Sequence, residues 1–146
     1  MRPTGREELK GRKVVEEMFE LHPERCTECQ ICMQICAWEH YQEHNPKRSR
    51  IWIRGEWPKE PEILVCQACP TRDCIQVCPN EALTWEGFVR VHPDQCDACG
   101  ACEEACPVEG VCLDPRGGLP LICDTCNGRF VCVQWCPTSA VKKAGL

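Results

Sequence analysis

The chain has 146 residues, seventeen of them cysteine, and a formal charge of −5. That acidic balance gives no basis for nucleic-acid binding, and no stretch reaches the length of a membrane span. Three Phe, one Tyr and scattered aliphatic residues are too few for a hydrophobic core to hold the chain together alone.

The N-terminal stretch MRPTGREELKGRKVVEEMF is charged throughout. It has neither the apolar run of a signal peptide nor a twin-arginine pair. Residues 1–17 read as an arm, helical or mobile, and a cytoplasmic, reducing setting is expected. Cysteines there remain thiols, so disulfides fall behind iron–sulfur and zinc as readings of the cysteine density.

Residues Met18–Leu21 are expected to form a short strand leading into the first motif, C-x2-C-x2-C-x3-C at Cys26, Cys29, Cys32 and Cys36. Ala37 follows the last cysteine, where the three later motifs have proline. Without that helix breaker, CAWEHYQEH is expected to continue as helix. The stretch from Trp38 to Trp57 interleaves aromatic and basic residues, the types enriched at interface hot spots. Trp38, Tyr41, Arg48, Arg50, Trp52 and Trp57 are the candidate partner contacts. A covering role over a cluster is an equal and compatible reading.

The second motif is C-x2-C-x4-C-x3-C-P at Cys66, Cys69, Cys74 and Cys78. ALTWEGFVRV (82–91) predicts a hairpin turning at Glu86–Gly87. The third motif, Cys96, Cys99, Cys102 and Cys106, returns to the first spacing. Cys112 stands outside every motif and reads as a small buried hydrophobe. Gly117–Gly118, flanked by Pro115 and Pro120, marks a loop. The fourth motif is C-x2-C-x5-C-x3-C-P at Cys123, Cys126, Cys132 and Cys136. The x3-C segments (MQIC, IQVC, EEAC, VQWC) suit helical turns. HPERCTECQIC aligns without gaps on HPDQCDACGAC, so the chain repeats internally in the order A, B, A′, B′. His22 and His92 share a loop-entry position, whereas His40 and His44 read as packing or surface.

Zinc usually takes two cysteine pairs set a dozen or more residues apart. Three cysteines within seven residues suit a larger cubane wrapped by one loop, with the fourth ligating the other cluster of a pair. Four such runs indicate four [4Fe–4S] clusters. Small residues within the loops (Ala68, Ala98, Gly100, Ala101, Gly128) are expected to let backbone amides approach sulfur. Spacing alone leaves two pairings open: adjacent (first with second, third with fourth) or nested (first with fourth, second with third).

CQACPTRDCIQVCPNEAL, CDTCNGRFVCVQWCPTSAV and the order of spacings resemble the iron–sulfur subunits of molybdenum and tungsten oxidoreductases, of the dimethyl-sulfoxide reductase and formate dehydrogenase beta-subunit type. CAWEHYQEHNPKRSRIWI (36–53) is most similar to the compact four-cluster partners of tungsten aldehyde oxidoreductases. The resemblance implies nested ligand sets: Cys26, Cys29, Cys32 with Cys136; Cys123, Cys126, Cys132 with Cys36; Cys66, Cys69, Cys74 with Cys106; and Cys96, Cys99, Cys102 with Cys78. It implies a small, loop-rich α+β fold of two interleaved bacterial-ferredoxin-like units with short hairpins and helices. The outer unit is 18–37 plus 119–143, the inner 62–112, and 38–61 connects them within a domain spanning 18–146.

No nucleophile triad, phosphate loop or isolated carboxylate pair is present, so the chain is expected to carry single electrons rather than to catalyse. Its expected partner is a large tungsten- or molybdenum-cofactor subunit, with a further electron-transfer subunit or ferredoxin beyond. A free-standing polyferredoxin is the alternative, and a zinc-bearing assembly protein a weaker third. Stripping iron should abolish the compact fold, because metal ligation replaces the missing core. Near-native circular dichroism of the iron-free chain would contradict this.

Overall fold

Every cysteine motif folds as a loop that turns abruptly into a short helix. The computed structural model describes residues 19–67, 69 and 71–144. The expected N-terminal arm, Met18 and Ala68 lie outside the described residues. The helices are α1 (Ile31–Tyr41), α2 (Asp73–Val77), α3 (Ala101–Ala105) and α4 (Val131–Trp135). The residue before each one (Gln30, Arg72, Gly100 or Phe130) takes the left-handed conformation. Glycine does so freely; for the other three the strain is about 1–2 kcal/mol each, a local load that the rest of the motif must offset.

Eight three- or four-residue strands pair as four separate antiparallel ribbons. β1 (Phe19–Leu21) joins β8 (Val141–Lys143), and β2 (Ile51–Arg54) joins β3 (Glu62–Val65). β4 (Leu83–Trp85) joins β5 (Val89–Val91), and β6 (Val111–Leu113) joins β7 (Pro120–Ile122). The β4–β5 ribbon is the hairpin expected at 82–91. Its positive φ of 82° falls on Gly87 rather than Glu86, so glutamate beside it is no obstacle. Helix α1 packs on α4, and α2 packs on α3. The first and last motifs therefore meet, as the chain ends do through β1 and β8, and the middle two motifs meet each other.

The repeat seen in the sequence recurs in the backbone. His22 N donates to Ala140 O and His92 N to Ala82 O, both at 2.7 Å. Each histidine enters its loop through the same bond, as their shared position suggests. Helix α1 has eleven residues and the others five. The extra length begins at Ala37, fully buried, where proline would have ended the helix as it does after Cys78, Cys106 and Cys136.

The apolar core is small. Phe19, Ile51, Val65, Leu121, Ile122 and Val141 are fully buried, and seven motif cysteines lie in the same interior. Phe19 meets Phe130 edge to face at 5.3 Å, which ties β1 to the loop before α4. Gly110 marks the tightest approach. A Cβ there would stand 2.6 Å from Cys66 N and 2.7 Å from Cys66 Cα, and backbone cannot swing aside. Gly110→Ala should lower stability by about 1–3 kcal/mol, read as a fall in the anaerobic melting temperature. An unchanged melt would contradict this close packing.

Candidate metal centres

Each helix carries one cysteine in its first turn and a second four residues on, within α1 at Cys36 and just past the helix end at Cys78, Cys106 and Cys136. Their sulfurs are divided between neighbouring cavities. Cavity I is lined by Cys26, Cys29, Cys32 and Cys136. Cavity II is lined by Cys36, Cys123, Cys126 and Cys132, and cavity III by Cys66, Cys69, Cys74 and Cys106. Cys78, Cys96, Cys99 and Cys102 line cavity IV. The four are closely alike in size. In each, three cysteines come from one motif and the fourth is the last cysteine of another.

Sulfur spacing separates a cluster from a single ion. Four thiolates about 2.3 Å from one zinc stand, by tetrahedral geometry, about 3.8 Å apart. Among the described residues no three cysteine sulfurs lie within 4.8 Å of one another. The sets are too open for tetrahedral zinc and fit a larger inorganic core. One trio of ligand-type atoms does converge, His40, Asp124 and Cys126, and protein hydrogen bonds account for it, as described below.

The buried thiols resist ionisation. Burial pushes Cys32 and Cys74 up to about 12 and Cys102 to about 11. Burial also raises Cys123 and Cys132, with neighbouring cysteines adding to the effect. A bound metal core supplies the positive charge that makes thiolate the stable form, releasing protons as it binds. Cys66 of cavity III is among the charges acting on Cys123 of cavity II, and Cys32 of cavity I acts on Cys132. These couplings set I beside II and II beside III, and α2 against α3 sets III beside IV. Cys29 and Cys99 are the exposed cysteines, one in each end cavity.

Backbone amides reach the sulfurs by a device built into the motif ends. After each Cys-Pro, the third residue beyond the cysteine (Glu81, Glu109 or Ser139) takes a positive φ. The next amide then turns back on the sulfur. Ala82 N donates to Cys78 Sγ at 3.3 Å and Gly110 N to Cys106 Sγ at 3.2 Å. At Cys136 burial raises the thiol, but the backbone amides of Val141, Thr138 and Ala140 turn on it and lower it. At Cys36 the helix continues and this donor is lost. Arg50 N, fourteen residues on, replaces it at 3.2 Å. Within the loops the amide two residues after the first cysteine bonds its sulfur, from Glu28 to Cys26 at 3.5 Å, from Ala98 to Cys96 at 3.4 Å and from Thr125 to Cys123 at 3.4 Å, so this approach does not require the small residue that the sequence reading called for. Gly128 N bonds Thr125 Oγ1 instead.

The wall of cavity II contains a charged network that motif spacing does not reveal. His40 Nε2 lies 2.9 Å from Asp124 Oδ1, and His40 Nδ1 lies 2.8 Å from Cys36 O. Asp124 also accepts from Cys126 N at 2.9 Å and faces Arg50 Nη1 at 3.3 Å. Burial alone would raise Asp124, but the bond to His40, the His40 charge and Arg50 hold it at about 2. Burial would likewise lower His40, but its bonds to Asp124 and Cys36 raise it to about 9. His40 is thus part of a metal-site wall and not mere packing or surface, which corrects its reading from helical spacing. His44 does pack, stacked on Trp38 at 4.8 Å.

The candidate partner residues divide by direction. Arg48 is bonded to buried Asp114 and lies over the Tyr41 ring at 3.8 Å. Arg50 points inward, and Trp52 is half-buried in β2. Trp57, at the tip of the β2–β3 hairpin, is 88 % exposed. Close to it, the Glu28 carboxylate of the first motif packs on the open face of Gly55. Cys112 is half-buried in β6 rather than buried as expected.

A family model described as a 4Fe-4S binding domain matches residues 89–111, the third motif with β5 before it. A polyferredoxin-like subunit of an aliphatic sulfonate oxidoreductase from Pyrococcus furiosus is 34 % identical over 78 % of this chain and 68 % of its own. The protein belongs to the iron–sulfur electron-transfer subunits of oxidoreductases. The B subunit of an anaerobic dimethyl sulfoxide reductase from Escherichia coli is 29 % identical over 84 % of this chain and 70 % of its own. The beta subunit of an NADH-dependent phenylglyoxylate dehydrogenase from Aromatoleum evansii is 35 % identical over 82 % of this chain. The match spans 28 % of that longer subunit.

Proposed function

We propose that this subunit carries single electrons through four [4Fe–4S] clusters to or from a tungsten- or molybdenum-cofactor catalytic subunit. The observation that carries the reading is the division of sixteen cysteines into four like cavities. The proposed ligand sets are Cys26, Cys29, Cys32 and Cys136; Cys36, Cys123, Cys126 and Cys132; Cys66, Cys69, Cys74 and Cys106; and Cys78, Cys96, Cys99 and Cys102. When bound, such clusters supply reversible one-electron acceptance at potentials tuned by charge, hydrogen bonds to sulfur and exposure.

The chain's own residues provide the rest. Sixteen thiolates fix the positions, apolar walls such as Ile51, Val65, Val89 and Val111 exclude water, and turned-back amides stabilise the sulfurs. The couplings between neighbouring cysteines favour a row in the order I, II, III, IV. An outer unit (18–37 with 119–143) and an inner unit (62–112), joined by 38–61, are the natural division of that row. The β1–β8 and α1–α4 contacts support the first, and α2–α3 with β4–β5 support the second.

A metal-cofactor partner is favoured by the relative named as a dimethyl sulfoxide reductase subunit and by the resemblance over 36–53. We place that partner at the cavity I end, where Trp57 is exposed beside the first motif, and assign the complex to the cytoplasm. A further electron-transfer subunit or ferredoxin would then meet cavity IV.

Native anaerobic purification should yield stoichiometric co-purification with a large subunit. A monodisperse small monomer would instead support a free polyferredoxin. Trp57→Ala should weaken that association with iron content unchanged, and undiminished co-purification would remove Trp57 from the interface. Cys36→Ser should disturb the cluster of the fourth motif. Disturbance of the second motif's cluster instead would mean that the motifs pair adjacently.

A further inference from the structure

The four cavities are alike in cysteine number, size and apolar lining, but they differ in charge. One arginine stands in the wall of each inner cavity, Arg50 in II, where the paired His40 and Asp124 adjoin it, and Arg72 in III. Among the described residues lining cavity I none is charged, and in cavity IV the charged residue is Asp97. Burial and charge act in opposite directions on a group that accepts an electron. A dry site disfavours the more negative, reduced state, and a fixed positive charge nearby favours it. The inner cavities are the drier ones, since the exposed cysteines belong to I and IV. Arginine is the basic side chain that stays charged when buried.

Arg50 is held firmly beside its cavity. Its amide bonds Cys36 Sγ at 3.2 Å, and Nη1 donates to Ile122 O at 3.3 Å. Nη2 reaches Tyr41 Oη at 3.4 Å. Its Nε is buried with no hydrogen-bond partner in the protein, so hydrogen bonding alone does not explain why a guanidinium is kept there. Asp124 Oδ2 faces the guanidinium at 3.3 Å and partly offsets its charge. Arg72 has a comparable anchor, its guanidinium lying 4.0 Å over the Trp85 ring, which also lines cavity III.

We propose that Arg50 and Arg72 raise the reduction potentials of the clusters in cavities II and III, offsetting the effect of burial on the inner half of the row. The proposal rests on the four-cluster reading. It assigns the arginines as positioning charges rather than ligands.

The test is a redox titration of the anaerobically purified holoprotein, followed by electron paramagnetic resonance. Arg50→Gln keeps the backbone amide on Cys36 and removes the charge. One cluster's reduction equilibrium should become about tenfold less favourable, equivalent to about 59 mV for one electron, and Arg50→Lys should restore most of it. Arg72→Gln should act likewise on a different cluster. Unchanged potentials in Arg50→Gln at full iron content would overturn the proposal. So would an equal fall at all four clusters, or a failure of lysine to restore. A wild-type holoprotein with fewer than four clusters by iron count would instead sink the four-cluster reading.

Discussion

Sharing one short helix between two cavities is the constraint from which the rest of this structure follows. Cys32 and Cys36, for example, sit one turn apart on α1 and serve cavities I and II. Neither cavity closes until a helix from another motif supplies its fourth sulfur. Thus α1 must lie on α4 and α2 on α3, and the chain ends are drawn together into the β1–β8 ribbon. The burial that results favours the protonated form of the innermost thiols, Cys32, Cys74 and Cys123 among them. The architecture therefore presupposes a cation at its centre, and its apolar residues insulate more than they support.

Local chemistry was legible wherever it was periodic. The four x3-C segments predicted four helices, Glu86–Gly87 predicted a turn, and the absence of proline after Cys36 predicted the longer α1. Spacing alone left the pairing of motifs open, because nested and adjacent schemes demand the same local geometry. The wall of cavity II was harder still to read. His40 and Asp124 are 84 positions apart, and nothing in the sequence around either names the other. A partial signal existed in the repeated Cys-Asp-x-Cys. Asp97 receives the Cys99 amide and Asp124 the Cys126 amide, so both read as loop caps, and only the second acquires a distant histidine.

The aromatic and basic segment shows why composition alone divides function poorly. Arginine and tryptophan suggested one interface, yet Arg48 and Arg50 are committed to Asp114, Tyr41 and cavity II, whereas Trp57 stands clear of the surface. A guanidinium is equally suited to a partner's carboxylate and to its own chain's. Position in the fold, which the sequence pattern does not carry, decides between them.

The borrowed amide at Cys36 also limits how this protein can be rebuilt. In the three Cys-Pro motifs the amide bonded to the last sulfur is supplied locally, so in that one respect those motifs are self-contained. The first motif is not, because its sulfur depends on a segment fourteen residues downstream. A miniaturised relay made by cutting out the connecting segment would leave Cys36 without a donor. To restore independence, a designer would place proline at 37 and a small residue at 40, at the expense of the histidine that now reaches Asp124. The long helix thus makes the connecting segment part of the surroundings of Cys36.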